Sequence, residues 1–91
     1  MLTSPQRKAL KAKAHKLEPV VLIGNKGLTD AVLAEVDLAL KSHELIKVRA
    51  PGLERDDRER AFNEACERTG ADLVQVVGKV AVLYRKKPEP S

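Results

Sequence analysis

Ninety-one residues, 43% of them apolar and 33% charged, read as one globular domain with a modest core of its own. The lone cysteine, Cys66, excludes an internal disulfide and a cysteine metal cluster, and the basic N-terminus lacks the apolar run of a secretory signal. A formal net charge of +4 favours an anionic partner, and nothing approaches the roughly 18 apolar residues of a membrane span, so cytoplasm is the expected compartment.

The first predicted element is a helix with Ser4 as N-cap and Pro5 as first helical residue, running to about His15. Leu10, Ala14 and Leu17 make its thin apolar stripe. Pro19 ends the region, and the run Val20-Val21-Leu22-Ile23 predicts a short, buried, parallel strand. Gly24-Asn25-Lys26-Gly27 forms a turn, after which Thr29 caps a helix over about Asp30 to Ser42. Val32, Val36, Ala39 and Leu40 fall on one face of that helix. A second strand, about Leu45 to Ala50, alternates Ile46 and Val48 with the cations Lys47 and Arg49 on the opposite face.

Pro51-Gly52 breaks the strand. A third helix, about Asp56 to Thr69, buries Phe62, Ala65 and Cys66 and stops at Gly70. Leu73 to Val77 and Val80 to Tyr84 then flank Gly78-Lys79, a two-residue loop with the leading glycine of a type II′ hairpin. That register pairs Val77 with Val80 and Gln75 with Val82. It puts Val74, Val76, Ala81 and Leu83 on one face, and Leu73, Gln75, Val77, Val80, Val82 and Tyr84 on the other. The domain is expected to span residues 1–87, with 88–91 a frayed tail. The order α-β-α-β-α-β-β predicts a single compact α/β domain whose four-stranded mixed sheet has helix-linked strands parallel and the last strand antiparallel. Strand order does not follow from the pattern.

Few residues could carry catalysis. His15 and His43 each stand at a helix end, where a cation suits the dipole. The acids Glu54, Asp56, Asp57 and Glu59 alternate with Arg55, Arg58 and Arg60, which fits a helix start better than a metal cage. No catalytic residue, metal ligand, cofactor or small-molecule substrate is therefore assigned.

Charge and glycine point instead to a polyanion. Residues 1–27 carry Arg7, Lys8, Lys11, Lys13, Lys16 and Lys26 against Glu18, whereas residues 53–72 carry four Arg against seven acids. Lys79, Arg85, Lys86 and Lys87 make the C-terminal stretch basic again. The expectation is a basic surface toward the polyanion and an acidic third helix facing away. With five glycines in 91 residues, some G-x-x-G arises by chance in about one chain in four. Its place between a buried strand and a capped helix adds meaning, because free N–H groups and the positive helix end converge there. Phe62 and Tyr84 are the sole aromatics, too few for a base-stacking sheet, so contact should be to the nucleic-acid backbone.

The stretch Leu17 to Leu28 (LEPVVLIGNKGL) resembles the start of the CRM domain, named for chloroplast RNA splicing and ribosome maturation. So do His43-Glu44-Leu45-Ile46-Lys47-Val48, Thr69-Gly70-Ala71, Val74-Gln75-Val76-Val77-Gly78-Lys79 and Leu83-Tyr84-Arg85, in order along the chain. A copy of this length is similar to the stand-alone bacterial YhbY type. The resemblance implies the fold of the C-terminal domain of translation initiation factor three, RNA contact through Gly24, Asn25, Lys26 and Gly27, and a role in assembly of the large ribosomal subunit on precursor ribosomal RNA. Pro51-Gly52 with Leu53 departs from the pattern, which leaves the geometry between the second strand and the third helix open. Lys8, Lys11, Lys47 and Arg49, with Lys79 and Arg85, are expected to extend the RNA track. The rival expectation is a protein-interaction module of the translation or assembly machinery without direct RNA contact.

Overall fold

The structure, a computed structural model, describes residues 2–87; the tail at 88–91, expected to fray, lies outside the described residues. Helix α1 (Ser4–Ala14) is capped by Thr3, not by Ser4. The Thr3 hydroxyl accepts from the Gln6 N–H at 3.2 Å, and the Gln6 carboxamide accepts from the Thr3 N–H at 2.9 Å. This reciprocal box needs an acceptor side chain three residues past the cap. Gln6 supplies it for Thr3, whereas Ser4 would face Arg7, a donor only.

The remaining elements are β1 (Pro19–Leu22), α2 (Asp30–His43), β2 (Leu45–Arg49), α3 (Arg55–Thr69), β3 (Asp72–Val77) and β4 (Val80–Tyr84). The sheet order is β1-β2-β4-β3, with β1 parallel to β2 and β4 antiparallel to both of its neighbours. The three helix-linked strands thus share one direction, and β4, carrying the buried run Ala81-Val82-Leu83, inserts between β2 and β3. Gly78 has φ +58° while Lys79 stays at negative φ, the combination that separates a type II′ from a type I′ turn.

This order corrects the reading of β1. Its four aliphatic residues suggested burial on both faces, but β1 is an edge strand, and Val20 and Leu22 remain 54% and 55% exposed. Val21 and Ile23 alone turn inward.

Helices α2 and α3 cover one sheet face. Val36, Leu40, Phe62, Ala65 and Cys66 close there against Val21, Ile23, Ile46, Val48, Ala81 and Leu83. Burial pushes the Cys66 thiol up to about 11, so it stays protonated and serves as packing. Helix α1 covers part of the other face, where Ala14 meets Val74 and Val82, with Leu10, Leu45 and Tyr84 at the margin.

The predicted hairpin faces change at one point. Val77 pairs with Val80 and Gln75 with Val82 as expected, but a bulge between Leu73 and Gln75 restores pairing at Leu73 with Leu83. Leu73 therefore joins the α2/α3 core and Val74 turns toward α1. Arg7 holds the bulge from outside, donating to the carbonyls of Leu73 at 2.6 Å and Val74 at 2.8 Å. A cation of the N-terminal basic cluster is thus structural.

Candidate nucleic-acid interface

Because β1 and β2 are parallel, both end at the same edge of the molecule, where antiparallel β4 begins. The loop after β1, the loop after β2 and the hairpin turn converge there. Ile23 N–H donates to the Arg49 carbonyl at 2.7 Å, and Ala50 N–H donates to the Lys79 carbonyl at 2.9 Å. Helices α2 and α3 both start at this edge, so two positive dipole ends face it. Thr29 caps α2 through the Val32 N–H at 3.2 Å; Glu54 gives α3 no side-chain cap.

The glycine loop is a closed turn, with Gly27 N–H donating to the Gly24 carbonyl at 3.0 Å. Gly27 lies at φ +79°, a conformation side-chain-bearing residues rarely adopt. A Cβ built at Gly24 or Gly27 would meet nothing within 4 Å, so open space stands beside both. That space is what a phosphate needs to reach backbone amides.

Asn25 turns back onto the protein. A Cβ at Gly52 would collide with the Asn25 carboxamide, so the glycine of Pro51-Gly52 makes room for the loop's own side chain. Pro51-Gly52 is therefore a seat for the G-x-x-G turn. Proline followed by glycine signals a turn in sequence, but its contact comes from a loop 25 residues or more away in the chain and left no local mark. Gly52→Ala is expected to displace the carboxamide of Asn25, the far end of an exposed side chain, at a cost below about 1 kcal/mol. Urea denaturation checks this, and a larger loss would show that Asn25 cannot swing away.

Helix α3 does not face away from the loop, contrary to expectation. Asp57, Arg60 and Glu64 border the same cleft as Asn25, Lys26 and Gly27. Asp57 is shared with Arg60, which lies 3.6 Å from it. Since an α3 dipole end also stands here, acids in the first turn are locally favourable. They leave the sheet side as the side from which a polyanion meets net positive charge.

That sheet side carries Lys47 and Arg49. Cross-strand pairing makes two rows on the face that α1 only partly covers: Leu22, Arg49, Val80 and Val77 in one, Pro19, Lys47, Val82 and Gln75 in the next. Lys11 and His15 of α1 rise beside the second row and wall a groove of about 310 Å³. Lys8 lies one helical turn before Lys11 on the same stripe. Lys79 sits in the turn that closes the first row. The structure thus gathers Gly24, Asn25, Lys26, Gly27, Arg49 and Lys79 at one sheet edge, with Lys47, Lys11 and Lys8 leading away from it.

Arg85 is not among them. It follows β4 at the opposite end of the sheet, and its guanidinium is consumed within the protein. It donates to the Asp37 carboxylate at 2.7 Å, to the Asp37 carbonyl at 3.1 Å and to the Thr69 carbonyl at 2.8 Å. Only 21% of the side chain is exposed. Arg85 and then Lys41, 3.2 Å away, hold the Asp37 carboxyl below the ordinary carboxylate range. The expected RNA contact at Arg85 is corrected to a staple that ties β4 to α2 and to the C-terminus of α3.

Among the described residues, no three His, Cys, Asp or Glu side chains gather as a metal site would require, and no helix is long and apolar enough to cross a membrane. Fold and site together define a small α/β domain that sets a glycine-rich strand-to-helix loop beside a cationic sheet face. The chain belongs to the CRS1 / YhbY (CRM) domain family, whose model matches residues 2–85. It is 48% identical over 90 residues to a protein of Pseudomonas aeruginosa named a probable RNA-binding protein, covering 99% of this chain and 86% of that one. A protein of Haemophilus influenzae named an RNA-binding protein is 44% identical over 88 residues, covering 97% and 89%. The solution structure of a hypothetical Staphylococcus aureus protein, titled as a candidate RNA binder, superposes with a TM-score of 0.85 at 34% identity over 100% of this chain and 95% of that chain.

Proposed function

We infer that this protein binds RNA without catalysing a reaction, and that it does so on precursor ribosomal RNA during assembly of the large ribosomal subunit. The observation that carries RNA binding is the continuity of the open Gly24–Gly27 loop with the Arg49 and Lys47 rows on the sheet. Backbone amides at the loop hold a phosphate, Lys26 adds a mobile cation, and Arg49, Lys79, Lys47, Lys11 and Lys8 continue the track. The names of the relatives support RNA as the partner. The ribosomal assignment rests on the family resemblance, and the cytoplasmic setting on the sequence pattern that lacks a signal and a membrane span.

Four to six neutralised phosphates give log K against log salt a slope of roughly −3 to −5. Lys26→Ala is expected to reduce that slope by about 1 while leaving the fold intact, as a single phosphate contact should. Fluorescence anisotropy across a salt series measures both. Binding indifferent to salt would overturn the model, and an unchanged slope for Lys26→Ala would move the loop contact elsewhere. Crosslinking in cells, followed by sequencing of the bound RNA, tests the ribosomal part: messenger or transfer RNA alone would contradict it.

A further inference from the structure

We propose that the groove between α1 and the open half of the sheet is a second RNA subsite, which takes an unstacked base from a single-stranded segment running on from the glycine loop. The proposal rests on the RNA-binding reading and adds to it the form of the RNA and a second point of contact.

Three observations carry it. The first is coverage. Helix α1 closes over Val74, Tyr84 and Leu45 and, through Ala14, over Val82, then ends before the row that contains Val77 and Val80. That row leaves apolar surface in water: Val77 is 61% exposed and Val80 only half-buried. An apolar floor of this kind, inside a groove of about 310 Å³, sits at the lower end of the roughly 300–1,000 Å³ range of ligand clefts.

The second observation is charge. Lys11, His15 and Lys47 line the groove and, among the described residues, no acid does. The cleft on the other side of the glycine loop, in contrast, includes Asp57 and Glu64. An acidic peptide could satisfy the lysines, but it would leave the valine floor and the Gln75 carboxamide without a partner. A nucleotide uses all three: its base covers the valines, its phosphates meet the lysines, and Gln75 offers a donor and an acceptor to a base edge. The valine floor offers no hydrogen bond and so is tolerant of base identity at its face. Selection, if any, falls to the Gln75 amide.

The third observation is continuity. Arg49 pairs with Leu22 on one side and Val80 on the other, so it stands between the end of the glycine-loop strand and the groove floor. Lys47 follows two residues along the same strand and face, about 6.8 Å further by strand geometry. A chain anchored by a phosphate at Gly24–Gly27 can cross Arg49 and reach Lys47 without leaving the protein. A regular duplex keeps its bases paired and cannot deliver one to this floor, so the groove selects single-stranded RNA or a junction.

The test compares two fluorescent RNAs, a blunt duplex and the same duplex with a single-stranded extension, on the full chain and three variants. Val77→Glu places a carboxylate on the exposed floor without touching either core cluster. It is expected to weaken binding of the extended RNA about tenfold or more and to leave the duplex within about twofold. Gln75→Ala provides a second, charge-neutral reading in the same direction. Lys26→Glu is expected to weaken both RNAs. A 4-thiouridine in the extension should crosslink to the peptide containing residues 75–82. Equal loss for both RNAs, or no loss, in Val77→Glu and Gln75→Ala would overturn the groove while leaving the loop reading standing. Failure of Lys26→Glu to weaken either RNA would instead count against the loop.

Discussion

Reversing two charges on the sheet, Lys47→Glu with Arg49→Glu, is expected to lower RNA affinity by at least about 100-fold at 50 mM salt. Both side chains point from β2 to the face away from the α2/α3 core, so the change leaves that packing untouched. Each substitution removes a phosphate partner and adds a repulsive charge in its place. The carboxylate created beside Lys11 also draws on that cation, since Lys11 and Lys47 line one groove. The log–log salt slope should therefore become shallower by about 2 or more, and the deficit should shrink as salt rises. Circular dichroism and melting controls confirm the fold. A deficit that is constant across salt would mean that the pair acts through shape, and an affinity within a few-fold of the unmodified chain would place the RNA off the sheet.

How much of this site could be read from the sequence depends on the range of each contact. The alternation Ile46-Lys47-Val48-Arg49 is local, and the strand that it predicts puts both cations on one face as observed. The hairpin was equally legible, because the Gly78-Lys79 turn fixes the pairing of Val77 with Val80. The bulge at Val74 was not. Neither glycine nor proline marks it. It exists because two cores compete for adjacent aliphatic residues: Leu73 serves α2 and α3, Val74 serves α1, and Arg7 from the far end of the chain takes the carbonyls that the bulge releases.

The same distinction explains β1 and Arg85. A run of four aliphatic residues says that a strand is apolar but not which neighbours it has, and the edge position leaves Val20 and Leu22 uncovered. Arg85 belongs to a basic stretch in sequence, but Asp37 and the end of α3 reach it only through the tertiary fold. Net charge counted along a segment therefore overstates the cations left free for a polyanion by Arg7, spent on two carbonyls, and Arg85, spent on the Asp37 carboxylate and two carbonyls. The Thr3 cap is different in kind: Thr3-x-x-Gln6 is a short-range signature, and it outranks the Ser4-Pro5 pair.

Phe62→Ala is expected to lower stability by about 3–5 kcal/mol and the melting temperature by more than roughly 12 °C. Phe62 is the one large side chain that α3 buries; its other buried residues are Ala61, Ala65 and Cys66. A buried Phe covers about 150–250 Å², or roughly 4–6 kcal/mol of apolar burial, so the docking of α3 rests largely on this ring. The loss matters to function because α3 follows directly from Gly52, the seat of Asn25, and borders the glycine loop. Small domains hold only about 5–15 kcal/mol in total, so the variant approaches the unfolding threshold at 25 °C. It does not touch the cationic face, and RNA that binds only the folded chain should therefore restore it. At 100 times Kd the gain is about 2.7 kcal/mol, most of the deficit at its lower end. Melting the variant with and without RNA checks both halves. A loss below about 1 kcal/mol would show that α3 is not held by Phe62, and a melting point that RNA does not raise would show that the folded state is not what the RNA selects.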